Sequence, residues 1–178
     1  MRHLAVSALG RDRPGIVAAV TGTLLAHSVN IEDSQMTILR GHFTMVLIVS
    51  CSESVEAAEL RAELEGVAVD LGLEAVSVAE VSDAGGAHPD PTHIATVYGA
   101  DHPGIVHATA SAVAAARCNI TDLNTRLSEE TGVAPLYVLM MEIAASVDFQ
   151  EDLRAALEGV GRNEGVEVSL RELERDEL

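Results

Sequence analysis

The stretch GRDRPGIV at residues 10–17 returns 89 positions later as GADHPGIV at residues 99–106. The correspondence continues beyond the loop at the same shift, because Asn30-Ile31 matches Asn119-Ile120 and Asp33 matches Asp122. A constant shift over separated motifs indicates a tandem duplication. Each half has roughly 80 to 90 residues, enough for one modest hydrophobic core.

Periodicity predicts the same order of elements in both halves. In the first half, alternation over residues 3–9 predicts a strand, Pro14 is placed for the first turn of a helix, and the following apolar residues recur every four positions. A hairpin, a second amphipathic helix and a closing strand follow, at residues 31–39, 43–50, 57–71 and 74–81. This order predicts an α+β, ferredoxin-like βαββαβ fold, an antiparallel four-stranded sheet with both helices on one face.

The second half predicts the same fold with a longer hairpin turn. Its expected elements are a strand at 93–99, a helix at 103–117, hairpin strands at 120–127 and 136–144, a helix that ends at Val160 and a strand at 165–173. Asp148 and Glu151 resemble a capping box at the start of the last helix. We therefore expect two domains, residues 1–82 and 93–178, joined by a turn-rich linker at 83–92 and followed by a charged, frayed tail from residue 171.

Composition excludes several classes of function. The chain has 28 acidic and 11 basic residues and a formal net charge of −17, which repels nucleic acid and anionic membranes. All the basic residues are Arg, so neither a Schiff-base lysine nor a Walker-type lysine is available. We expect no direct nucleic-acid partner and no membrane partner.

The sequence contains no recognisable catalytic or metal-binding motif. His102 and His107 are five positions apart on a helix and cannot share a face, and the carboxylates lie on amphipathic helices that expose one polar side. Cys51 and Cys118 are widely separated and are expected to be reduced core thiols. We therefore predict a non-enzyme without metal or cofactor, and, since no apolar run is long enough to span a membrane and no signal sequence is recognised, a cytoplasmic protein.

The repeated loop has the chemistry to bind a carboxylate. Its glycines allow close backbone approach and positive φ, and the helix start behind it presents unpaired N–H groups. We expect acceptors for an ammonium group on the next strand, beside the loop, from the side chains of Asn30, Asp33, Asn119 and Asp122.

Structural roles compete with this interpretation. Asp12 and Asp101 can instead cap the helices, Asn30 and Asn119 can end them in the left-handed conformation, and the glycines can serve the turn alone. Pro14 and Pro103 are expected to be structural.

Apolar residues fill both alternating faces of the hairpin strands, in FTMVLIV at 43–49 and YVLMM at 137–141. Helices can cover only one of those faces. The other face is covered by sheet packing, by edge-to-edge joining or by dimerisation, or it carries a few tolerated surface residues. We expect a homo-oligomer.

The motif Asp12-Arg13-Pro14-Gly15-Ile16-Val17, the segment Asn30-Ile31-Glu32-Asp33-Ser34 and the hairpin residues Phe43-Thr44-Met45 together resemble the ACT regulatory domain. Both halves carry the resemblance, over residues 3–82 and 93–173, and the pair is similar to tandem-ACT proteins of the glycine cleavage system transcriptional repressor type. The second half departs from the first at His102 in place of Arg13 and at Thr121 in place of Glu32.

The resemblance implies side-by-side pairing of ACT units and binding of a small amino acid, such as glycine or serine, where they meet. It also implies transcriptional regulation through a protein partner, such as a DNA-binding activator. The alternative is a structural interaction module with vestigial pockets. The candidate ligand-binding residues are Gly10, Asp12, Arg13, Pro14, Gly15, Ile16, Asn30, Ile31 and Asp33 in the first half and Gly99, Asp101, His102, Pro103, Gly104, Ile105, Asn119, Ile120 and Asp122 in the second.

Overall fold

The computed structural model of the 178-residue chain describes residues 1–82, 89–128 and 135–173. The chain divides into two compact units, Met1–Gly86 and Ala87–Leu178. Much of the expected linker at 83–92, the expected turn at 128–132 and the expected tail lies outside the described residues. Each unit is therefore described by itself.

The first unit has the predicted βαββαβ order. Its elements are β1 (Arg2–Arg11), α1 (Ile16–Ala26), β2 (Asn30–Leu39), β3 (His42–Cys51), α2 (Ala57–Leu71) and β4 (Leu73–Val81). The strands form an antiparallel sheet in the order β2-β3-β1-β4.

The second unit repeats this topology. Its elements are β5 (His93–Ala100), α3 (Ile105–Ala115), β6 (Asn119–Ser128), β7 (Leu136–Ala144), a short 3-10 helix (Val147–Phe149), α4 (Gln150–Glu164) and β8 (Glu167–Glu172). The sheet order is β6-β7-β5-β8, which corresponds strand by strand to the first unit. The predicted fold class is confirmed.

Each unit buries the helix-facing side of its sheet. In the first unit Leu4, Val6 and Ala8 of β1 pair with Val49, Leu47 and Met45 of β3, and all six side chains are buried. The apolar stripes of the helices cover them, with Ile16, Val20 and Leu24 from α1 and Leu60 and Leu64 from α2. Burial of a side chain of this size contributes about 1.5 to 3 kcal/mol. The apolar residues that recur every four positions in the sequence of α1 are thus the ones that this helix buries in the core.

The opposite side of each sheet carries exposed apolar side chains. Val46 on β3 is 46% exposed and Met140 on β7 is 48% exposed. Both strands are thus apolar on the face that the helices leave open, as the sequence indicates.

The first helix of each unit begins two residues later than predicted. Gly15 has φ +97° and Gly104 has φ +111°, so neither residue is helical, and α1 and α3 start at Ile16 and Ile105. The prolines therefore lie in the turn before the helix rather than in its first turn.

The predicted capping box on the last helix is wrong. Asp148 lies in the short 3-10 helix, Phe149 occupies the N-cap position of α4, and no side chain caps that helix start. The helix also extends past Val160 to Glu164, because the left-handed residue that ends it is Gly165, at φ +67°.

Candidate functional site

The loop of the first unit joins the end of β1 to the start of α1. The Asp12 N–H donates to the carbonyl of Gly41 at 2.9 Å, which holds the loop against the β2–β3 turn. Gly15 then turns the chain with φ +97°, and the Ala19 N–H donates to the Gly15 carbonyl at 2.9 Å as the first bond of the helix. The second unit repeats that helix-opening bond from Ala108 to Gly104 at 2.8 Å.

Both helix starts lack a side-chain cap. The first N–H groups of a helix have no acceptor within the helix, so those after Gly15 and Gly104 are available to a ligand or to water. The interpretation of Asp12 and Asp101 as helix caps is wrong, because the N-cap position belongs to the glycine three residues later. Both aspartates and both following prolines are exposed.

Gly10 and Gly99 have a packing role. A Cβ on Gly10 would lie 2.8 Å from the Cα of Leu73, and one on Gly99 would lie 2.8 Å from Cγ1 of Val166. These glycines let β1 and β5 approach the second residue after the second helix of each unit. The first glycine of each loop thus serves packing, while the second sets the turn.

Arginines concentrate at the loop end of the first unit. Arg11 closes β1, Arg13 lies on the loop and Arg40 lies in the neighbouring β2–β3 turn, and all three are exposed. Only 11 basic residues occur in the chain, whose net charge is −17. This end of the sheet is therefore locally cationic, which favours an anionic group.

The loop of the second unit lines an open pocket of about 660 Å³. The predicted residues that line it are Asp101, His102, Pro103, Gly104 and Ile105, and the lining that the sequence analysis missed comprises Val106, His107, Ala110 and Tyr137. Tyr137 pairs with Gly99 across β5 and β7, so the register of β7 against β5 was the signal that could have placed it.

His102 connects this loop to the end of α4. Its Nε2 lies 3.0 Å from the carbonyl oxygen of Glu164 and its Nδ1 lies 3.1 Å from that of Pro103. These backbone hydrogen bonds raise the pKa of His102 above its usual range, the nearby carboxylates of Glu164 and Asp101 raise it further, and partial burial opposes the shift. In the first unit Arg13 lies in the corresponding place, because a Cβ on Gly72, after α2, would be 3.5 Å from its guanidinium Nη2.

The expected ammonium acceptors do not lie beside the loops within either unit. Asn30 and His3 both pair with Ser50, so Asn30 is level with the start of β1, eight residues and about 26 Å along the strand from Arg11. Asp33 is level with Ala5, about 20 Å from the loop end. The reason is the crossover, because α1 carries the chain back to the opposite end of the sheet before β2 begins.

The second unit has the same separation. Asp122 pairs with Glu142, which pairs with Ile94 near the start of β5, and Asn119 begins β6 at that end. The expectation that these side chains adjoin the loop is therefore wrong within one unit. They could reach a loop-bound ligand only from outside the unit that holds that loop.

The Asn-Ile-x-Asp segments contain a matching irregularity. Each edge strand shifts register between the Ile and the Asp, at Ile31/Asp33 and at Ile120/Asp122. Asp33 accepts from the N–H of Ser34 at 2.8 Å and Asp122 accepts from Nδ2 of Asn124 at 2.6 Å, so both carboxylates have local partners.

Asn30 and Asn119 are not the left-handed residues of the helix ends. Ser28 at φ +56° and Arg117 at φ +58° have that conformation, two residues earlier in each unit. The two asparagines are instead the first residues of β2 and β6, and both are exposed.

The isoleucines of the motifs divide between core and surface. Ile16 and Ile105 are buried at 1% exposure and anchor their helices, whereas Ile31 is 37% exposed and Ile120 is half-buried. The first pair therefore positions the loop from beneath, and Ile105 also contributes to the lining of the pocket.

Within residues 1–82, 89–128 and 135–173, no three His, Cys, Asp or Glu side chains are grouped as metal ligands would be. Within the same residues, no helix combines the length and apolarity needed to cross a membrane. Cys51 is buried and Cys118 is half-buried, and both are free thiols.

Two ferredoxin-like repeats, each with an uncapped helix behind a glycine loop, define a tandem of small regulatory domains. The model of the ACT domain family matches residues 2–77 and 92–171. The chain belongs to the ACT domain family, and the tandem-ACT resemblance is confirmed.

Known proteins extend this relationship over most of the chain. The glycine cleavage system transcriptional repressor of Escherichia coli is 30% identical over 143 residues, which cover 76% of this chain and 72% of the repressor. The crystal structure of an unknown protein from Galdieria sulphuraria superposes with a TM-score of 0.78 at 27% identity, over 97% of this chain and 99% of that one.

A third relative is an enzyme. The phosphoserine phosphatase of Streptomyces coelicolor is 30% identical over 167 residues, which cover 94% of this chain but 39% of the phosphatase. The match spans less than half of that enzyme, so it carries no activity to this chain. The chain is thus an ACT-domain regulatory protein related to the glycine cleavage repressor.

Proposed function

We propose that this protein senses a small amino acid, glycine or serine, through the loops that precede α1 and α3, and passes the signal to a protein partner. The observation that carries the proposal is the repeated, uncapped helix start behind a positive-φ glycine, at Gly15 and Gly104. A carboxylate at such a helix start accepts N–H hydrogen bonds and is stabilised by the helix dipole, by about 0.3 to 1 kcal/mol per contact.

The surroundings of the first loop favour a carboxylate, whereas those of the second are mixed, because the Asp101 and Glu164 carboxylates lie close to His102. Arg11, Arg13 and Arg40 supply positive charge at the first loop, and His102 supplies it at the second when protonated. The pocket of about 660 Å³ at the second loop has room for a small amino acid with water. Because the acceptors expected within the same unit lie at the far end of the sheet, the ammonium group of the ligand needs acceptors from outside that unit or from water.

Ligand size limits the affinity. A ceiling of about −1.5 kcal/mol per heavy atom restricts glycine to roughly micromolar affinity at best. Coupling of about 1 to 3 kcal/mol between the loop and a partner surface is enough for a regulatory response.

Isothermal titration of the full chain with the twenty amino acids tests the proposal. We expect glycine or serine to bind with a Kd between about 1 μM and 10 mM, and we expect the double variant Gly15→Val, Gly104→Val to lose this heat. Gly66→Ala is the matched control, since Gly66 lies on α2, away from the loops, and a Cβ there meets nothing within 4 Å. Absence of binding by every amino acid up to 10 mM would remove the sensing proposal.

The partner we propose is a DNA-binding activator, with the chain acting in the cytoplasm as a homo-oligomer. The name of the Escherichia coli relative supports a role in transcription. The net charge of −17 opposes direct contact with DNA, so control of transcription would pass through another protein. Co-purification with and without glycine, followed by mass spectrometry, would identify the partner, and an unchanged set of partners would contradict signalling.

A structural interaction module is the second candidate. The exposed apolar residues on the open sheet faces, such as Val46 and Met140, favour it. Val46→Asp and Met140→Asp should then abolish association while the loop variants retain it, and sedimentation of the full-length variants would distinguish the two functions.

A further inference from the structure

The ring of His102 has an acceptor at each nitrogen. Nδ1 lies 3.1 Å from the Pro103 carbonyl oxygen and Nε2 lies 3.0 Å from the Glu164 carbonyl oxygen. A carbonyl can only accept, so each contact is a hydrogen bond only when the facing nitrogen carries a proton. A neutral imidazole has one N–H and can make one of the two bonds, whereas an imidazolium makes both.

The first bond lies within the loop, since His102 and Pro103 are neighbours, and only the bond to Glu164 joins the loop to α4. The Pro103 carbonyl belongs to the loop that lines the pocket, and Glu164 is the last residue of α4. The C-terminal end of a helix carries partial negative charge, which favours a cation there. The Glu164 carboxylate adds to this field, with Oε2 at 4.0 Å from Nδ1.

The first unit has a permanent cation in the same position. Arg13 replaces His102 at the 89-residue shift and lies beside Gly72, the residue that ends α2. Arginine stays charged at every accessible pH. The duplication has therefore kept a cation between loop and second helix in both units, but only the second unit can switch it off.

We propose that His102 is a proton-operated latch that holds the loop at residues 101–104 most firmly against the end of α4 when its ring is charged and makes both bonds, and that loosens the loop when its ring is neutral and can make only one. The latch would make the second unit sensitive to pH near neutrality, while the cation beside Gly72 in the first unit would persist at all pH values.

The charged groups around the ring favour its protonated form. Asp101 faces it from the loop and Glu164 faces it from α4, and these two carboxylates are the charges that raise its pKa, after the backbone hydrogen bonds. On α4, Arg162 is 3.9 Å from Glu158. His107 and Tyr137 line the same pocket from α3 and β7.

The sign of the pH dependence follows from this arrangement. Because the folded state raises the pKa of His102, the latch is fully closed below the unfolded value and opens as the pH rises through the folded one. Opening would also withdraw positive charge from the pocket. Weaker binding of an amino-acid carboxylate would follow from this loss of charge. That consequence rests on the proposed function, whereas the latch itself does not.

Hydrogen exchange in the full chain without ligand tests the latch. The Ala108 amide reports on it, since its bond to the Gly104 carbonyl is the first beyond the loop, and the Ala19 amide is the matched reporter in the first unit. After correction for intrinsic exchange, we expect the protection of Ala108 to fall roughly threefold to tenfold between about pH 5.5 and about pH 8.5. The protection of Ala19 should stay constant.

Variants make the assignment specific. His102→Arg should keep Ala108 protected at both ends of this range, and His102→Gln should leave it weakly protected throughout. His27→Gln is the control, because His27 pairs with Glu63 at 3.0 Å within the first unit and should not influence Ala108. A pH dependence of Ala108 that persists in His102→Arg would overturn the latch.

Glycine titrations separate the latch from the sensing function. If glycine binds, its Kd at the second unit should weaken with rising pH in the native chain but not in His102→Arg. If glycine binds at no pH, the sensing proposal fails while the exchange result still decides the latch.

Discussion

Glycine-to-alanine changes at Gly15, just before α1, and at Gly22, inside α1, should shift the free energy of unfolding in opposite directions. A Cβ added at Gly15 or at Gly22 meets nothing within 4 Å, so neither change creates a clash. The residues differ in backbone conformation, since Gly15 has φ +97° before α1 and Gly22 lies inside that helix. The pair therefore isolates backbone strain from packing.

The magnitudes follow from the backbone alone. An alanine forced to keep the conformation of Gly15 costs about 1 to 3 kcal/mol, because an L side chain disfavours that region. Alanine at the exposed helical position of Gly22 stabilises by about 1 kcal/mol, since glycine loses more entropy in a helix. In a unit of this size, each kcal/mol moves Tm by roughly 4 to 8 °C.

Thermal and urea unfolding of the full chain, followed by far-ultraviolet circular dichroism, measures both variants. We expect the transition of the first unit to fall by about 10 °C in Gly15→Ala and to rise by about 5 °C in Gly22→Ala. Shifts of the same sign in the two variants would refute the argument that the loop requires a positive-φ glycine.

Three further outcomes follow from packing and burial. Gly10→Ala should destabilise by about 1 to 3 kcal/mol in urea unfolding, because its Cβ would lie 2.8 Å from the backbone of Leu73, and an unchanged midpoint would contradict this contact. Leu64→Ala should cost about 2 to 5 kcal/mol by the same measurement, because Leu64 is 0% exposed in the core, and a smaller loss would show that the core collapses around the cavity. Burial raises the pKa of the Cys51 and Cys118 thiols, so both should react slowly with Ellman's reagent at pH 7.5. Cys118 should react faster than Cys51, because it is only half-buried, and fast reaction of both thiols in the native chain would contradict their burial.

The sequence predicts the fold well because periodicity and repetition report directly on burial. Ile16, Val20 and Leu24 recur at helical spacing, and all three are buried. The hairpin is also predicted, because only Arg40, Gly41 and His42 separate the two strand-like segments. The structure shortens the turn to Arg40 and Gly41, both with positive φ. These signals are local and need no knowledge of how distant segments pair.

The candidate site was predicted less well because it depends on nonlocal placement. The expectation that the fold brings the start of the next strand, and with it Asp33, beside the loop is wrong, because the crossover helix puts Asp33 at the far end of the sheet. Aspartate is a common helix N-cap, but Gly15, with positive φ, occupies the N-cap position of α1, three residues after Asp12. Tyr137 was missed because only the register across β5 and β7 brings it to the loop.

The duplication has preserved the backbone and changed the chemistry at its surface. The second loop glycine keeps its positive φ in both units, the residue two before the edge strand is left-handed in both, and the register shift on the edge strand recurs after the same isoleucine. The backbone conformations at these positions are therefore shared by the two units.

The side chains around the loop have diverged by comparison. The second unit has His107 where the first has Ala18, and Tyr137 pairs with the loop glycine as the buried Phe43 does in the first unit. Two ring nitrogens and a phenol thus replace apolar groups beside an unchanged helix start. Backbone donors recognise any carboxylate alike, whereas side chains distinguish what is attached to it. We therefore expect the two loops, if both bind amino acids, to differ in affinity and selectivity, and a titration that fits two identical sites would contradict this expectation.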